Sequence, residues 1–261
     1  MSCCHLKCFG VGDGWPSGER GHSAFLYRFG DVQLLFDCGE PVSGSFKASG
    51  ANYDAIDRIF LSHLNFDHIG GLFMLLQGFW LEGRTKDLTI HLPAEGIVPI
   101  RQLLDAGYLF EELLPFRLSF DALHKGEAVS IGGVRVTPFA NTHLDSLRVK
   151  FQAKHPQAFE AFSFLIEHDG VRVGHSADIG APEDLVPLLK KPLDLLVSEL
   201  AHFEAEKLFD YLRGQAIKRI IFVHLSRKYW DNFDTTRRLA EVRVGGIPHS
   251  FAHAGEEILF G

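Results

Sequence analysis

Short apolar runs bounded by Gly, Pro, Asn or Asp punctuate this chain, and between them lie stretches whose apolar positions recur at helical spacing. The runs predict strands over residues 22–29, 32–37, 57–61, 88–92, 134–140, 161–168, 171–175, 194–197, 219–223 and 250–253. The helical spacing predicts helices over 70–79, 94–106, 182–189, 203–213 and 232–242. Gly30-Asp31 and Asp169-Gly170 each separate two such runs and predict tight hairpins. Hairpins alternating with strand–helix units give an α/β (α+β) chain. No linker, repeat or low-complexity segment divides it, so residues 1–261 are expected to form a single domain.

Composition narrows the function classes. A chain of 261 residues that is 46% hydrophobic can bury a sizeable core. Its net charge of -7 argues against a broad basic face for nucleic acid. The opening Met1-Ser2-Cys3-Cys4-His5-Leu6-Lys7-Cys8 has no apolar signal-peptide core, and no later run is long enough to span a membrane, so a soluble, cytoplasmic protein is expected. Four cysteines (Cys3, Cys4, Cys8 and Cys38) do not make a disulfide framework in a chain of this length and fit a reducing compartment. Cys3, Cys4 and Cys8 could join His5 around a metal, but small hydrophobes of a first strand is the expectation that weighs more.

The candidate chemistry is densest in Ser62-His63-Leu64-Asn65-Phe66-Asp67-His68-Ile69-Gly70-Gly71, which follows the apolar run Arg58-Ile59-Phe60-Leu61 and opens the helix predicted from residue 70. Three metal-ligand side chains thus crowd a strand-to-helix turn. Except for Asn65, these residues spell His-x-His-x-Asp-His-x-Gly-Gly, and with them the chain resembles the metallo-β-lactamase-fold superfamily of metal-dependent hydrolases. That resemblance implies a four-layered αββα sandwich.

It also implies a ligand set. Asn141-Thr142-His143, after the 134–140 strand, matches the family's third ligand to the first metal site. Gly174-His175-Ser176-Ala177-Asp178 places Asp178 at the metal-bridging aspartate, and Ile220-Ile221-Phe222-Val223-His224 ends on the last ligand of the second site. Taken singly, His143 and His224 could be ordinary strand-end histidines and Asp178 a turn cap. The second site then comprises Asp67, His68, Asp178 and His224, and the first His63, His143, Asp178 and whatever Asn65 offers. This mixed nitrogen and oxygen set suits one or two divalent ions, zinc first, with manganese or iron compatible. An amide oxygen is a weaker ligand than imidazole, so the first site is expected to be weak or biased to a harder metal; that Asn65 coordinates and both sites fill stays open.

The resemblance implies attack by a metal-bound hydroxide beside the catalytic carboxylates Asp67 and Asp178, with a histidine, His202 or His253, protonating the leaving group. Gly10-Val11-Gly12-Asp13-Gly14-Trp15-Pro16, Gly21-His22-Ser23-Ala24, Asp37-Cys38-Gly39 and His224-Leu225-Ser226-Arg227-Lys228-Tyr229 resemble the ribonuclease Z-like branch. That branch carries a His-Glu pair where this chain has Ser198-Glu199, so its proton donor is missing at that position and Glu199 is left to orient a metal-ligand histidine. A long glycine- and proline-rich arm of the kind that grips transfer RNA is also missing. The expected substrate is therefore a small molecule or short phosphodiester, with tRNA disfavoured and no membrane partner. Hydrolysis of a carboxylic ester, thioester or lactone, and a silent metal-binding sensor or partner-binding protein, are the alternatives. Members of such families often pair, which leaves a homodimer open, though no residue marks an interface. Phe66, Phe79, Trp80, Tyr108, Phe110, Phe116 and Trp230 are candidates for the pocket mouth, most of them expected in the core.

Overall fold

A computed structural model describes residues 4–261. Cys3, one of the candidate cysteine ligands, lies outside the described residues. Two seven-stranded sheets carry the chain. The first comprises β1 (Cys4–Gly10), β2 (Ala24–Phe29), β3 (Val32–Phe36), β4 (Arg58–Phe60), β5 (Leu88–Leu92), β6 (Leu118–Ala122) and the last strand, β14 (Glu257–Phe260), in the order β14-β1-β2-β3-β4-β5-β6. The second runs β13-β12-β11-β10-β9-β8-β7, from β7 (Val129–Ile131), β8 (Val134–Ala140), β9 (Phe162–His168), β10 (Val171–His175), β11 (Leu195–Leu200), β12 (Ile220–Leu225) and β13 (His249–Phe251). Each sheet has an antiparallel half and a parallel half. Pairing is antiparallel from β14 to β3 and from β7 to β10, and parallel from β3 to β6 and from β10 to β13.

Three apolar layers follow from this pairing. Between the sheets, alternate residues of β1 and β2 (Leu6, Cys8, Phe25, Tyr27) meet Phe164, Ile166, Val197 and Ile221 from the second sheet. Outside the first sheet, α1 (Val42–Ala48), α3 (Leu72–Leu81) and α4 (Ile97–Ala106) bury Phe46, Leu75, Phe79 and Leu104 against Leu35, Ile59 and Ile90. Outside the second, α6 (Ala205–Leu212) and α8 (Phe233–Arg243) bury Leu208, Phe209 and Ala240 against Leu196, Ile220 and Phe222. Helices, sheet, sheet, helices is the αββα sandwich expected from the motif. Three further helices, α2 (Phe66–Ile69), α5 (Asp145–Phe151) and α7 (Arg227–Asp231), follow β4, β8 and β12.

The 182–189 helix does not form; two 3-10 turns, Pro182–Leu185 and Leu188–Lys190, replace it. Pro187 supplies no N–H there and its ring excludes the carbonyl four residues back. Cys4 and Cys8 are buried between the sheets, as expected for first-strand hydrophobes, and Cys38, after β3, is buried under the helices of the first sheet. No helix among the described residues is long and apolar enough to cross a membrane.

Candidate metal centre

The parallel halves of both sheets end on the same side, and the loops leaving β4, β8, β10, β11 and β12 converge there. This is where open α/β sheets place ligands. His63 and the α2 turn follow β4, His143 follows β8, Asp178 follows β10, and His224 lies at the end of β12. Backbone conformation at the site is unusual: Asp37, Ala177 and His224 hold positive φ (58°, 48° and 49°) without being glycine. Each such residue costs about 1 kcal/mol, strain that concentrates where side chains must be aimed. Gly39 has a different reason to be glycine, since a Cβ there would fall 2.2 Å from the Asp67 carbonyl oxygen.

Asp178 is the hub. Its Oδ2 lies 3.3 Å from His68 Nε2, 3.2 Å from His224 Nε2, 3.9 Å from His63 Nε2 and 3.7 Å from His143 Nε2. Asp67 Oδ2 is 3.5 Å from His68 Nε2 and 3.8 Å from His224 Nε2. Donor atoms sharing one ion at zinc distances stand about 3.4 Å apart. Asp67, His68, Asp178 and His224 form one such group, His63, His143 and Asp178 a second, and Asp178, Glu199 and His202 a third, whose His202 is the most exposed member.

Hydrogen bonding supports the same division of labour. His68 Nδ1 donates to Asp37 Oδ2 at 2.7 Å, His224 Nδ1 pairs with Ser23 Oγ at 3.0 Å, and His63 Nδ1 with Ser62 Oγ at 3.0 Å. The outward nitrogen of each ring is thus fixed by a neighbour, the usual way of orienting a ligating imidazole. The inward atoms have no partner: His63 Nε2, His68 Nε2, His143 Nε2 and Asp178 Oδ1 are buried without a hydrogen bond. Three orphaned imidazole nitrogens around a carboxylate that itself has an orphaned oxygen are a strong physical objection to the cluster as a mere core feature, and divalent ions answer it.

The electrostatics are those of a site built to exchange protons for cations. Burial holds the His63 imidazole well below its usual range, helped by His68, and lowers His143 as well. Burial also works against a charge on His68 and His224, but Asp178 outweighs it in both and raises them. Asp178, despite burial, is held well below the usual carboxylate range by His224 and His68. A cation held by these groups would displace protons from His68 and His224.

Asn65 sits at the start of α2, where its carbonyl accepts the His68 and Ile69 N–H groups and its amide makes no capping bond. Of the two proton-donor candidates, the structure brings in one. His202 Nε2 is 3.7 Å from Asp178 Oδ2, and its Nδ1 donates to Glu199 Oε1 at 2.8 Å. Burial opposes its charge, but the Glu199 hydrogen bond and charge push it up to about 9. His253, two residues past β13 at the sheet edge, is not brought to the cluster; its ring lies 6.3 Å from Trp230. Of the aromatics, Phe79 and Phe116 are core, whereas Phe66, Tyr108 and Phe110 are exposed.

Sequence reasoning missed several supporting residues. Asp37, also bonded to Ser62 N and Oγ at 2.7 and 2.9 Å, and Ser23 fall in quoted segments, yet nothing local tells what they hold. Glu199, assigned an orienting role, takes N–H bonds from Ile179, Ala201 and His202 besides the His202 ring.

With this geometry in hand, three comparisons are informative. A family model described as Anti-Pycsar protein Apyc1 matches residues 4–233. Ribonuclease Z from Archaeoglobus fulgidus is 32% identical over 130 residues, 49% of this chain and 41% of that protein. The chain spans half or less of the length of the ribonuclease Z relatives at the head of the comparison. Among solved structures, the metallo-β-lactamase fold protein YhfI from Bacillus subtilis superposes with a TM-score of 0.77 at 18% identity, covering 99% of this chain and 100% of that one. Human tRNase Z, short form, superposes at 0.73 and 19%, covering 97% and 98%. The chain has the metallo-β-lactamase fold and is related to ribonuclease Z.

Proposed function

The chain belongs to the Anti-Pycsar protein Apyc1 family, and from that membership and the donor cluster we propose that it is a metal-dependent phosphodiesterase acting on small phosphodiesters. The observation that carries this is the set of orphaned, buried His and Asp donor atoms at Asp178, which belong to two of the three donor groups that share that carboxylate. Asp67, His68, Asp178 and His224 would hold one ion, and His63, His143 and Asp178, with Asn65 beside them, the other. Zinc fits this set, with manganese or iron as substitutes. When bound, such a pair supplies Lewis-acid activation of water and of the phosphoryl oxygen.

The chain's own residues do the rest. Asp178, shared by both groups, fixes their spacing, and Asp67, with a side chain 13% exposed, borders the open face of the centre. Glu199 holds His202 with its Nε2 proton directed to the Asp178 side, where a departing alkoxide could take it. His202 thus stands in for the histidine that Ser198 replaces, reaching the centre from four residues further on. The Gly12–Gly14 loop abuts the centre, where a Cβ on Gly14 would fall 3.3 Å from Asp67 Oδ2, and the cavity of about 280 Å³ beside that loop is lined by Arg20 and Arg227 together with Asp13 and Asp231 but by none of the donor residues. We read residues 1–261 as one functional unit, since both sheets contribute ligands.

The test is a substrate panel on zinc-loaded protein: bis(4-nitrophenyl) phosphate, 4-nitrophenyl phosphate and 4-nitrophenyl acetate. Metal-dependent turnover is expected for the diester above the other two, and faster hydrolysis of the acetate overturns the proposal. Asn65→His should raise uptake of the second ion. RNA is the second reading, favoured by the ribonuclease Z relatives. Cleavage of a 3′-extended tRNA with kcat/KM above that of every small diester would establish it in place of the first.

A further inference from the structure

His63, His68 and His224 each have a hydrogen-bonding neighbour at Nδ1, but among the described residues no group bonds Nδ1 of His143. Its position therefore depends on the backbone of its loop. That loop is tied to the Asp178 loop from two sides. On one side, Asn141 Nδ2 donates to the Asp178 carbonyl at 2.9 Å and to Ser163 Oγ at 3.0 Å, while its Oδ1 accepts the His143 N–H at 3.1 Å. On the other, a single oxygen, Asp184 Oδ2, accepts Thr142 N at 3.1 Å, Thr142 Oγ1 at 2.8 Å, Gly180 N at 2.9 Å and Ala181 N at 3.3 Å. Thr142 immediately precedes His143, and Gly180 is two residues past Asp178. The loops touch so closely that a Cβ on Gly180 would fall 2.4 Å from Thr142 Oγ1.

Capping the Pro182–Leu185 turn would account for the bonds to Gly180 and Ala181. It does not account for the two from Thr142, which belongs to a loop about 40 residues away in sequence. A carboxylate shared between two loops is instead what holds two ligands at a set separation. We propose that Asp184, acting through Thr142 and Gly180, is a positioning residue that fixes His143 against Asp178 and so sets the affinity of the His63–His143–Asp178 site. This rests on the two-site reading above. Asn65 gives that site only a neutral amide where a third imidazole is expected, so its affinity leans on preorganisation of the ligands it does have.

The experiment is zinc titration of metal-free, full-length protein against a chromophoric chelator, which resolves a tighter and a weaker site. Asp184→Ala is expected to weaken the weaker site about 10- to 100-fold, the usual loss when an orienting partner of a ligand is removed, and to leave the tighter site within about threefold. Thr142→Val, which deletes one of the four bonds, should weaken the same site by less, and Thr142→Ser should restore it. A purely structural carboxylate would lower Tm and leave both affinities unchanged, which overturns the proposal. Should Asp184→Ala fail to fold, Thr142→Val decides: unchanged affinities overturn the proposal, and a selective loss that Thr142→Ser rescues supports it. A wild-type chain that takes up only one ion overturns the two-site reading and this inference with it, whereas two ions with unchanged variants overturn the inference alone.

Discussion

His202 should matter in proportion to how badly the leaving group needs a proton. The histidine side chains at the centre of the cluster are 0 to 7% exposed, whereas that of His202 is 34% exposed, which places it on the face that a substrate would meet. Its other nitrogen is committed to Glu199, so the ring presents Nε2 in a fixed direction. A positioned acid of this kind contributes about 10²- to 10⁴-fold, or roughly 2.7 to 5.4 kcal/mol at 1.36 kcal/mol per decade. His202→Ala should therefore lower kcat by that factor for a dialkyl or alkyl aryl phosphodiester that expels an alkoxide. For bis(4-nitrophenyl) phosphate, whose nitrophenolate departs as a stable anion, the loss should stay within about threefold because no proton is required. The assay is steady-state kinetics on both substrates with metal content measured on the same preparation. Glu199 is a poorer target, because it also holds the Ile179, Ala201 and His202 backbone and its loss would disturb the loop. Equal losses on the two substrates, or a fall in bound metal, would refute the assignment and make His202 a ligand or a structural group.

Two further outcomes follow from buried partners. Asp37→Asn removes the charged acceptor of His68 Nδ1 and should weaken the tighter zinc site by about 10- to 100-fold in a chelator competition, with Asn65→His leaving that site unchanged. His91, stacked on Phe60 at 4.7 Å with Nε2 buried and unpartnered, is pushed down to about 4 by burial. Its folded-state pKa lies below the unfolded value, so the unfolded chain takes up the proton first. Stability is then lost as pH falls from about 6.5 towards 4, by about 2 to 3 kcal/mol at pH 4.5. His91→Phe should remove that part of the acid sensitivity in urea melts at pH 7 and pH 4.5, and an unchanged difference between the two pH values would contradict it.

The sandwich and its centre were legible to different depths. Strands bounded by turns, such as Val134–Ala140 and Val171–His175, could be read closely because a turn residue sets them off: Gly133 and Asn141 flank the first, and Asp169-Gly170 opens the second. β1, β6, β7 and β14 were missed because edge or near-edge strands need only about half their residues apolar; Cys4–Gly10 carries His5 and Lys7 among its apolar residues, and Glu257–Phe260 buries Ile258 and Phe260 alone. α5 buries none of its residues and so leaves no periodic trace. At the centre, the segments that follow the strands resemble a family's motifs, and that resemblance is why Asp67, His68, Asp178 and His224 could be named as candidate ligands. Asp37, Ser23 and Asp184 act across distances of 31, 201 and 42 residues, and only the fold brings them to their partners. His202 and His253 were indistinguishable in sequence; a hydrogen bond to Glu199 in one case and a sheet-edge position in the other separate them.

The most direct test is the rate of bis(4-nitrophenyl) phosphate hydrolysis followed as zinc is added stepwise to metal-free protein, with bound metal measured at each point. Activity that rises and breaks at two equivalents per chain is the predicted result. Saturation at one equivalent or none, without turnover, would contradict the two-site phosphodiesterase.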